Sequence, residues 1–204
     1  MIDILFSNPI AFAIIFPALL LAITIHEFAH AWMADKLGDP TPRYQGRVTL
    51  DPRAHLDPIG TAAIFLTSFG WGKPVQFDPY NLKNPSRDTA LVALAGPASN
   101  LILATALGLL LKLGLLGGIL AVAAYQIVFI NVILAIFNLV PIYPLDGSKI
   151  IVPLLPKDSA WEYENFMKRY GMFILIFMII PWNGASPISQ LIGPVISLVT
   201  MLLT

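Results

Sequence analysis

Long apolar blocks separated by short polar segments dominate the chain. The blocks cover residues 10–25, 89–111, 115–141, 171–181 and 188–203. Several of them reach the ~20 residues that an α-helix needs to cross the hydrocarbon core of a bilayer. The pattern therefore predicts an all-α polytopic membrane protein with about five to six transmembrane or re-entrant helices.

Two shorter patterns lie between the first and second long blocks. The apolar run at 59–71 has only about 13 residues, too few for a comfortable span, and is predicted to be re-entrant or interfacial. Prolines flank an alternating run at 43–50, and a second extended piece follows at 73–77. We expect these two pieces to form short β strands on the cytoplasmic side.

The basic residues predict the orientation in the membrane. Apart from Lys112 they fall into three groups. The groups are Lys36, Arg43, Arg47 and Arg53; Lys73, Lys83 and Arg87; and Lys149, Lys157, Lys168 and Arg169. Loops rich in Lys and Arg stay in the cytoplasm, so all three groups are placed there and the N-terminus is placed outside. The expected location is the cell membrane, with several passes.

Composition narrows the possible chemistry. The chain is 57% hydrophobic and 12% charged, and its formal net charge is zero, which gives no indication of nucleic-acid binding. It contains no cysteine, so any metal ion must be bound through His, Asp or Glu. There is no repeat or long linker, and residues 1–204 are predicted to form a single membrane-embedded domain.

The pentapeptide His-Glu-Phe-Ala-His at 26–30 ends the first apolar block. His26 and His30 lie on one helix face, one turn apart, so both imidazoles can bind one metal ion. Glu27 lies within reach of a water on that ion and can act as its general base. Ionisable groups at the edge of an apolar helix are costly to bury, which favours a functional site over a simple polar helix end.

A hydrolytic zinc site needs a third protein ligand and one open position. Asp146 is the favoured third ligand, because prolines stop the preceding helix and the basic groups place this segment on the same side as His30. His55 is an alternative ligand, although a loop hydrogen bond or a substrate contact suits it better. Glu162 or Glu164 would be the ligand in a Ste24-like membrane zincin, although their charged stretch is more typical of a surface helix.

Asparagines on otherwise apolar helices are further candidates. Asn100 and Asn138 are predicted to steady the oxyanion or position the substrate, with His55 as a third candidate for substrate positioning. The competing interpretation is a hydrogen bond between helices that only holds the bundle together, and this is favoured for Asn131.

Several motifs together resemble the site-2 protease family of intramembrane zinc metalloproteases, peptidase family M50. These are the pentapeptide at 26–30, Leu-Asp-Gly at 145–147, Gly-Pro-Ala-Ser-Asn at 96–100 and the loop motifs at 46–52, 55–58 and 72–75. The resemblance is to compact prokaryotic members without a PDZ or CBS domain.

The resemblance implies one Zn²⁺ per chain, held by His26, His30 and Asp146, with Glu27 activating water. It also implies a membrane-spanning protein substrate, cut within the lipid bilayer in regulated intramembrane proteolysis. The sequence carries no indication of oligomeric state.

Two functions of other classes compete with this interpretation. A membrane metal-ion transporter would place polar residues along several helices, whereas here they gather at one end. An inactive scaffold would lack Glu27 or a ligand, and this chain keeps all four residues.

Overall fold

Three long apolar helices form the centre of the computed structural model, which describes residues 1–67, 70–182 and 184–204. In chain order the helices are α1 (Ile2–Ser7), α2 (Pro9–Leu37), α3 (Thr41–Tyr44), α4 (Pro58–Thr67), α5 (Pro85–Lys112), α6 (Gly118–Asn138), α7 (Gly147–Ile150), α8 (Lys157–Ile179) and α9 (Pro187–Leu203). Helices α2, α5 and α6 are each long and apolar enough to cross a membrane, while α4 and α9 are shorter apolar helices. The protein is an all-α membrane protein, as the sequence predicts.

The ends of α2 follow from its sequence. The Asn8 side chain accepts a hydrogen bond from the Ala11 N–H, and Pro9 occupies the first helical position, where a missing N–H costs nothing. Gly38 ends the helix with φ 115°, a conformation that side chains disfavour. The pentapeptide at 26–30 therefore lies inside a continuous helix, in its C-terminal half.

The short apolar run after α3 turns back on itself. Ile64 of α4 is buried against Ile23 of α2, so α4 enters the molecule. The chain then returns, because Leu56 and Gly72 form an isolated β-bridge and the Lys73 N–H donates to the carbonyl of His55. The described ends of the run lie close together, and the re-entrant assignment stays a prediction; residues 68 and 69 of the run lie outside the described residues.

The predicted short strands are not formed within the described residues. The run at 43–50 begins inside α3 and continues as turns and bends, and residues 73–77 have no ladder partner. Prolines at 40 and 42 favour the helical turn of α3. In addition, the Arg47 side chain occupies the Lys73 and Pro74 carbonyls, which a strand partner would need.

Helix α8 joins two segments that the sequence separates, the charged stretch at 157–169 and the apolar block that follows it. The helix continues through Gly171, whose missing side chain leaves room for Tyr143, since a Cβ there would lie 2.7 Å from the Tyr143 Cβ. The Tyr163 hydroxyl donates to the Pro141 carbonyl at 3.0 Å. Helix α8 therefore packs along the segment that leads to Asp146.

Helix α9 runs from the Asp146 end of the bundle to its opposite end. Ile188 and Ile192 pack in a buried cluster with Leu145, whereas the Lys112 ammonium at the end of α5 donates to the Leu202 carbonyl. The two ends of α9 thus lie at opposite ends of the three-helix centre.

Candidate metal centre

Three side chains predicted as metal ligands meet at one point. His26 and His30 project from α2, and their Nε2 atoms are 3.0 Å apart. Asp146 lies at the N-terminus of α7, and its Oδ2 is 3.1 Å from His26 Nε2 and 3.2 Å from His30 Nε2. Both imidazoles are buried and the carboxylate is nearly so.

The partners of the imidazoles fix which ring nitrogen carries the proton. His26 Nδ1 lies 2.7 Å from Asn100 Oδ1, and His30 Nδ1 lies 2.7 Å from the Val92 carbonyl oxygen. Because a carbonyl oxygen can only accept, each neutral ring must donate from Nδ1. Both Nε2 lone pairs then face each other and the Asp146 carboxylate.

This arrangement fits a bound cation. Three acceptors converge with no proton among them, and Asp146 Oδ2 has no hydrogen-bond partner within the described residues. Tetrahedral zinc with ligand bonds of about 2.0–2.1 Å places its ligand atoms about 3.3 Å apart, close to the observed separations. Two imidazoles and a carboxylate leave a fourth position open, which is typical of catalytic zinc sites.

A helical wall, defined here as Val92, Gly96, Asn100 and Asn131, lies on the α5 and α6 side of the imidazoles. Gly96 faces them directly, since a Cβ there would clash with His30 Nε2 and lie 2.7 Å from His26 Cε1. The absence of a side chain at this position lets α5 approach α2 closely enough for the Nδ1 hydrogen bonds to form.

Asn100 and Asn131 continue the hydrogen bonding away from the metal cluster. Asn100 Nδ2 donates to Asn131 Oδ1 at 2.7 Å and to the Ala22 carbonyl at 3.0 Å, which leaves its Oδ1 to accept from His26. Asn131 Nδ2 donates to the Ile127 carbonyl. Asn100 therefore lies on the Nδ1 side of the His26 ring, where it can orient that ring, and the oxyanion role expected from sequence stays a prediction.

A loop wall, defined here as Arg47, His55, Gly72, Lys73 and Pro74, lies beside Glu27. Glu27 Oε2 is 3.8 Å from Arg47 Nη2. A Cβ on Gly72 would lie 3.4 Å from Glu27 Oε1. The general base predicted from sequence is therefore enclosed by loop residues, while the metal ligands are enclosed by helices.

His55 lies in the loop wall and away from the metal cluster. It is fully buried, and its Nε2 is 2.7 Å from the Thr49 carbonyl oxygen. Burial lowers the pKa of the imidazole, although the hydrogen bond to Thr49 opposes this, so the ring is neutral and Nε2 donates. This is the loop hydrogen bond that the sequence favours over metal binding.

The remaining candidates lie outside the cluster. Glu162 and Glu164 are on the outer part of α8, and Glu164 pairs with Lys168 at 3.3 Å. Asn138 ends α6, and its Nδ2 donates to the Leu134 carbonyl of the same helix. Within the described part of the chain, one group of three His, Asp or Glu side chains is close enough to bind a single metal ion. It consists of His26, His30 and Asp146.

Sequence reasoning missed two contributors to the site. Arg47 was counted only among the charges that predict topology, although its position inside the loop motif at 46–52 is a signal that could have singled it out. The Val92 carbonyl has no sequence signal, because any residue at this position of α5 would offer the same oxygen.

Comparisons with known proteins give one family. The profile of peptidase family M50 matches residues 117–180, a range that includes Asp146. The chain is 42% identical over 176 residues to "Putative zinc metalloprotease YwhC" of Bacillus subtilis, covering 82% of this chain and 80% of that protein. It is 29% identical over 186 residues to "Putative zinc metalloprotease Rip2" of Mycobacterium tuberculosis, covering 85% and 71%. No solved structure matches the chain.

The relative from Bacillus subtilis aligns along most of both chains, so the similarity extends well beyond the profile match. The protein belongs to peptidase family M50 and is a zinc metalloprotease of the membrane.

Proposed function

We propose that this metalloprotease is an intramembrane endopeptidase that hydrolyses peptide bonds in transmembrane or membrane-associated segments, with residues 1–204 acting as one membrane-embedded domain. The observation that carries the proposal is the place of the metal cluster. His26 and His30 belong to a helix long enough to span a membrane, and both imidazoles hydrogen-bond to a second such helix, α5, against which α6 packs in turn through Asn131. This supports access of the substrate to the imidazoles at the level of the bilayer.

In this proposal His26, His30 and Asp146 hold one Zn²⁺ per chain. The zinc supplies Lewis acidity, which makes water acidic enough to ionise near neutral pH and polarises the scissile carbonyl. Glu27 accepts the proton of the attacking water and then delivers it to the leaving amine. Asn100 holds the His26 ring so that its Nε2 faces the cluster, and the Val92 carbonyl does the same for His30.

The proposed orientation places the N-terminus outside and the active site near the cytoplasmic side. Helix α2 then runs inward, α5 outward and α6 inward, which brings Asp146 to the end of α2 that carries the histidines. Helix α9 is proposed as a further membrane segment, because its last turn lies beside the end of α5. The partners in this scheme are the lipid bilayer and a membrane-spanning protein substrate.

Reconstituted protein tests the proposal. Zinc content and cleavage are measured in proteoliposomes that contain a single-span test substrate, for the wild type, Glu27→Gln and Asp146→Ala. We expect the wild type to bind zinc and cut, Glu27→Gln to keep its zinc and lose cleavage by at least about 100-fold, and Asp146→Ala to lose zinc and cleavage together. Glu164→Gln is the matched control, since it removes a carboxylate outside the cluster and should change neither quantity.

A second measurement tests where the enzyme cuts. The same scissile sequence is offered within a membrane span and as a soluble peptide. Preferential cleavage of the membrane form supports the intramembrane assignment, whereas equal or faster cleavage of the soluble peptide contradicts it. Normal zinc binding by Asp146→Ala would contradict the proposed ligand set.

A further inference from the structure

Arg47 is a buried cation outside the proposed set of catalytic and metal-binding residues. The residue is 3% exposed. Its Nη1 donates to the Pro74 carbonyl at 3.4 Å, and its Nη2 donates to the Lys73 carbonyl. The fork of the guanidinium thus holds two successive backbone carbonyls of the loop wall, a geometry that a lysine ammonium cannot reproduce.

The same guanidinium faces the general base. Arg47 Nη2 is 3.8 Å from Glu27 Oε2, which has no hydrogen-bond partner within the described residues. On its other side Glu27 Oε1 lies against Gly72, where no side chain intervenes. The Glu27 carboxylate therefore lies between Gly72 and the Arg47 guanidinium. The guanidinium is in turn held by the carbonyls of the next two residues, Lys73 and Pro74.

Packing alone gives little reason for a guanidinium at this place. Taking a charged group out of water costs several kcal/mol unless it is well paired. Burial lowers the pKa of Arg47 and the Glu27 charge raises it, yet a guanidinium stays charged at neutral pH. Its Nε also has no partner in the part of the chain that the structure describes. A neutral residue would fill the space at lower cost, so the charge itself needs a role.

We propose that Arg47 is a positioning residue for the hydrolytic step, which holds the Glu27 carboxylate and the Lys73–Pro74 backbone at a fixed separation beside the metal cluster. Glu27 can abstract a proton only from a water placed within hydrogen-bond reach, and small displacements of reacting groups reduce rates strongly. This inference rests on the proposed role of Glu27 as general base.

The test compares Arg47→Met, Arg47→Lys and Arg53→Met in the same proteoliposome assay. Arg53 is the matched control, because it lies in the same loop with its side chain 90% exposed. We expect Arg47→Met to lower kcat by about 10- to 100-fold with zinc content and KM near the wild-type values. Arg47→Lys restores part of the rate, since it keeps the charge but holds only one carbonyl. Arg53→Met behaves as the wild type.

A purely structural role would not give this pattern. A further variant, Arg47→Ala, leaves an empty space between Glu27 and the Lys73 and Pro74 carbonyls. Added methylguanidinium should raise the cleavage rate of this variant, because the free cation can occupy that space. It should leave the cleavage rate of Arg53→Met unchanged. A wild-type kcat for folded, zinc-loaded Arg47→Met overturns the inference, as does a rise in KM with kcat unchanged. If Arg47→Met does not fold, the inference is tested with Arg47→Lys alone. A kcat of Arg47→Lys within about twofold of the wild-type value then also overturns the inference.

Glu27→Gln in the same series separates this inference from the proposed function. Wild-type cleavage by Glu27→Gln would overturn the proposed function itself. An inactive Glu27→Gln together with a fully active Arg47→Met would overturn only the role of Arg47.

Discussion

The two walls around the site are built in different ways. In the helical wall, Asn100 uses its oxygen and its amide nitrogen, and Asn131 and the Val92 carbonyl complete a network in which polar groups are paired. In the loop wall, Arg47 Nε and His55 Nδ1 are buried without a hydrogen-bond partner among the described residues, and so is Oε2 of Glu27 beside it.

From this difference we infer different functional roles for the two walls. A fully paired network holds metal ligands in one tautomer and one orientation, which is what metal affinity requires. Buried groups with unused hydrogen-bonding capacity are costly to keep, and a catalytic role is one explanation for keeping them. Changes in the helical wall should therefore alter zinc binding, and changes in the loop wall should alter turnover.

The largest effect is expected for Gly96→Ala in the helical wall. The added methyl group would clash with His30 Nε2 and press on His26, so zinc binding and activity should both fall by at least about 100-fold. Intrinsic helix propensity favours the alanine by about 1 kcal/mol, so loss of helix formation would not explain the result. Zinc content and cleavage are measured beside Gly193→Ala on α9, where no described atom lies within 4 Å of the new Cβ. Wild-type zinc content in Gly96→Ala would refute the close approach of α5 to α2.

A smaller effect is expected for Asn100→Ala. The variant removes the acceptor of the His26 Nδ1 proton, and loss of such a partner typically weakens metal affinity about 10- to 100-fold. Competition with a chelator measures the affinity. Excess zinc should restore most of the cleavage, because the reacting groups are unchanged. A variant that binds zinc normally but cannot cut would instead favour the oxyanion role expected from sequence.

His55→Ala should show the opposite behaviour in the loop wall. The variant loses the hydrogen bond to the Thr49 carbonyl and loosens the loop around Glu27, so cleavage should fall roughly tenfold. Zinc affinity should stay at the wild-type value. Loss of zinc in this variant would mean that His55 is a ligand, and the comparison between the two walls would fail.

The smallest effect on activity is expected at Asp39, outside both walls. Burial raises the pKa of its carboxyl, whereas hydrogen bonds from Thr41, Asn81 and the Asp78 N–H lower it. The hydrogen bonds together outweigh burial, so the pKa of Asp39 lies below the ordinary value. The stabilisation is therefore present above about pH 4 and is lost as the pH falls through the lower folded-state pKa. Asp39→Asn should cost about 1–2 kcal/mol of unfolding free energy at neutral pH.

Thermal unfolding in detergent, followed from pH 7 downwards, measures this contribution. The difference between the wild type and Asp39→Asn should shrink only in the acid range, with cleavage at neutral pH unchanged. A difference that grows as the pH falls would contradict the sign of the shift.

The sequence predicted the parts of the molecule that depend on local patterns. Apolar length identified the three long helices, and helical spacing placed His26 and His30 on one face. The position of Asp146 beside them followed from the basic groups and from the breaks that end α6, two signals that do not depend on side-chain detail. The long helices and the histidine pair are set by neighbouring residues, whereas the position of Asp146 follows from signals carried by whole segments of the chain.

The features that were missed depend on contacts between distant segments. The predicted strands at 43–50 and 73–77 failed because Arg47 binds the carbonyls of the second segment, a contact that the alternation of residue types does not reveal. The sequence also gives no direction to the side chain of Asn100. Hydrogen bonds to the Ala22 carbonyl and to Asn131 turn it towards Nδ1 of His26, and its role at the oxyanion stays a prediction.

The long sequence separation between the two histidines and Asp146 determines when proteolytic capacity arises during synthesis. The ribosome delivers the N-terminal part first, so α2 and α5 can pair and orient both imidazoles before the third ligand has been made. A nascent chain at that stage resembles a zymogen, inert until α6 and the turn after it join the bundle. The order of the ligands along the chain thus makes the complete ligand set one of the last features of the bundle to form.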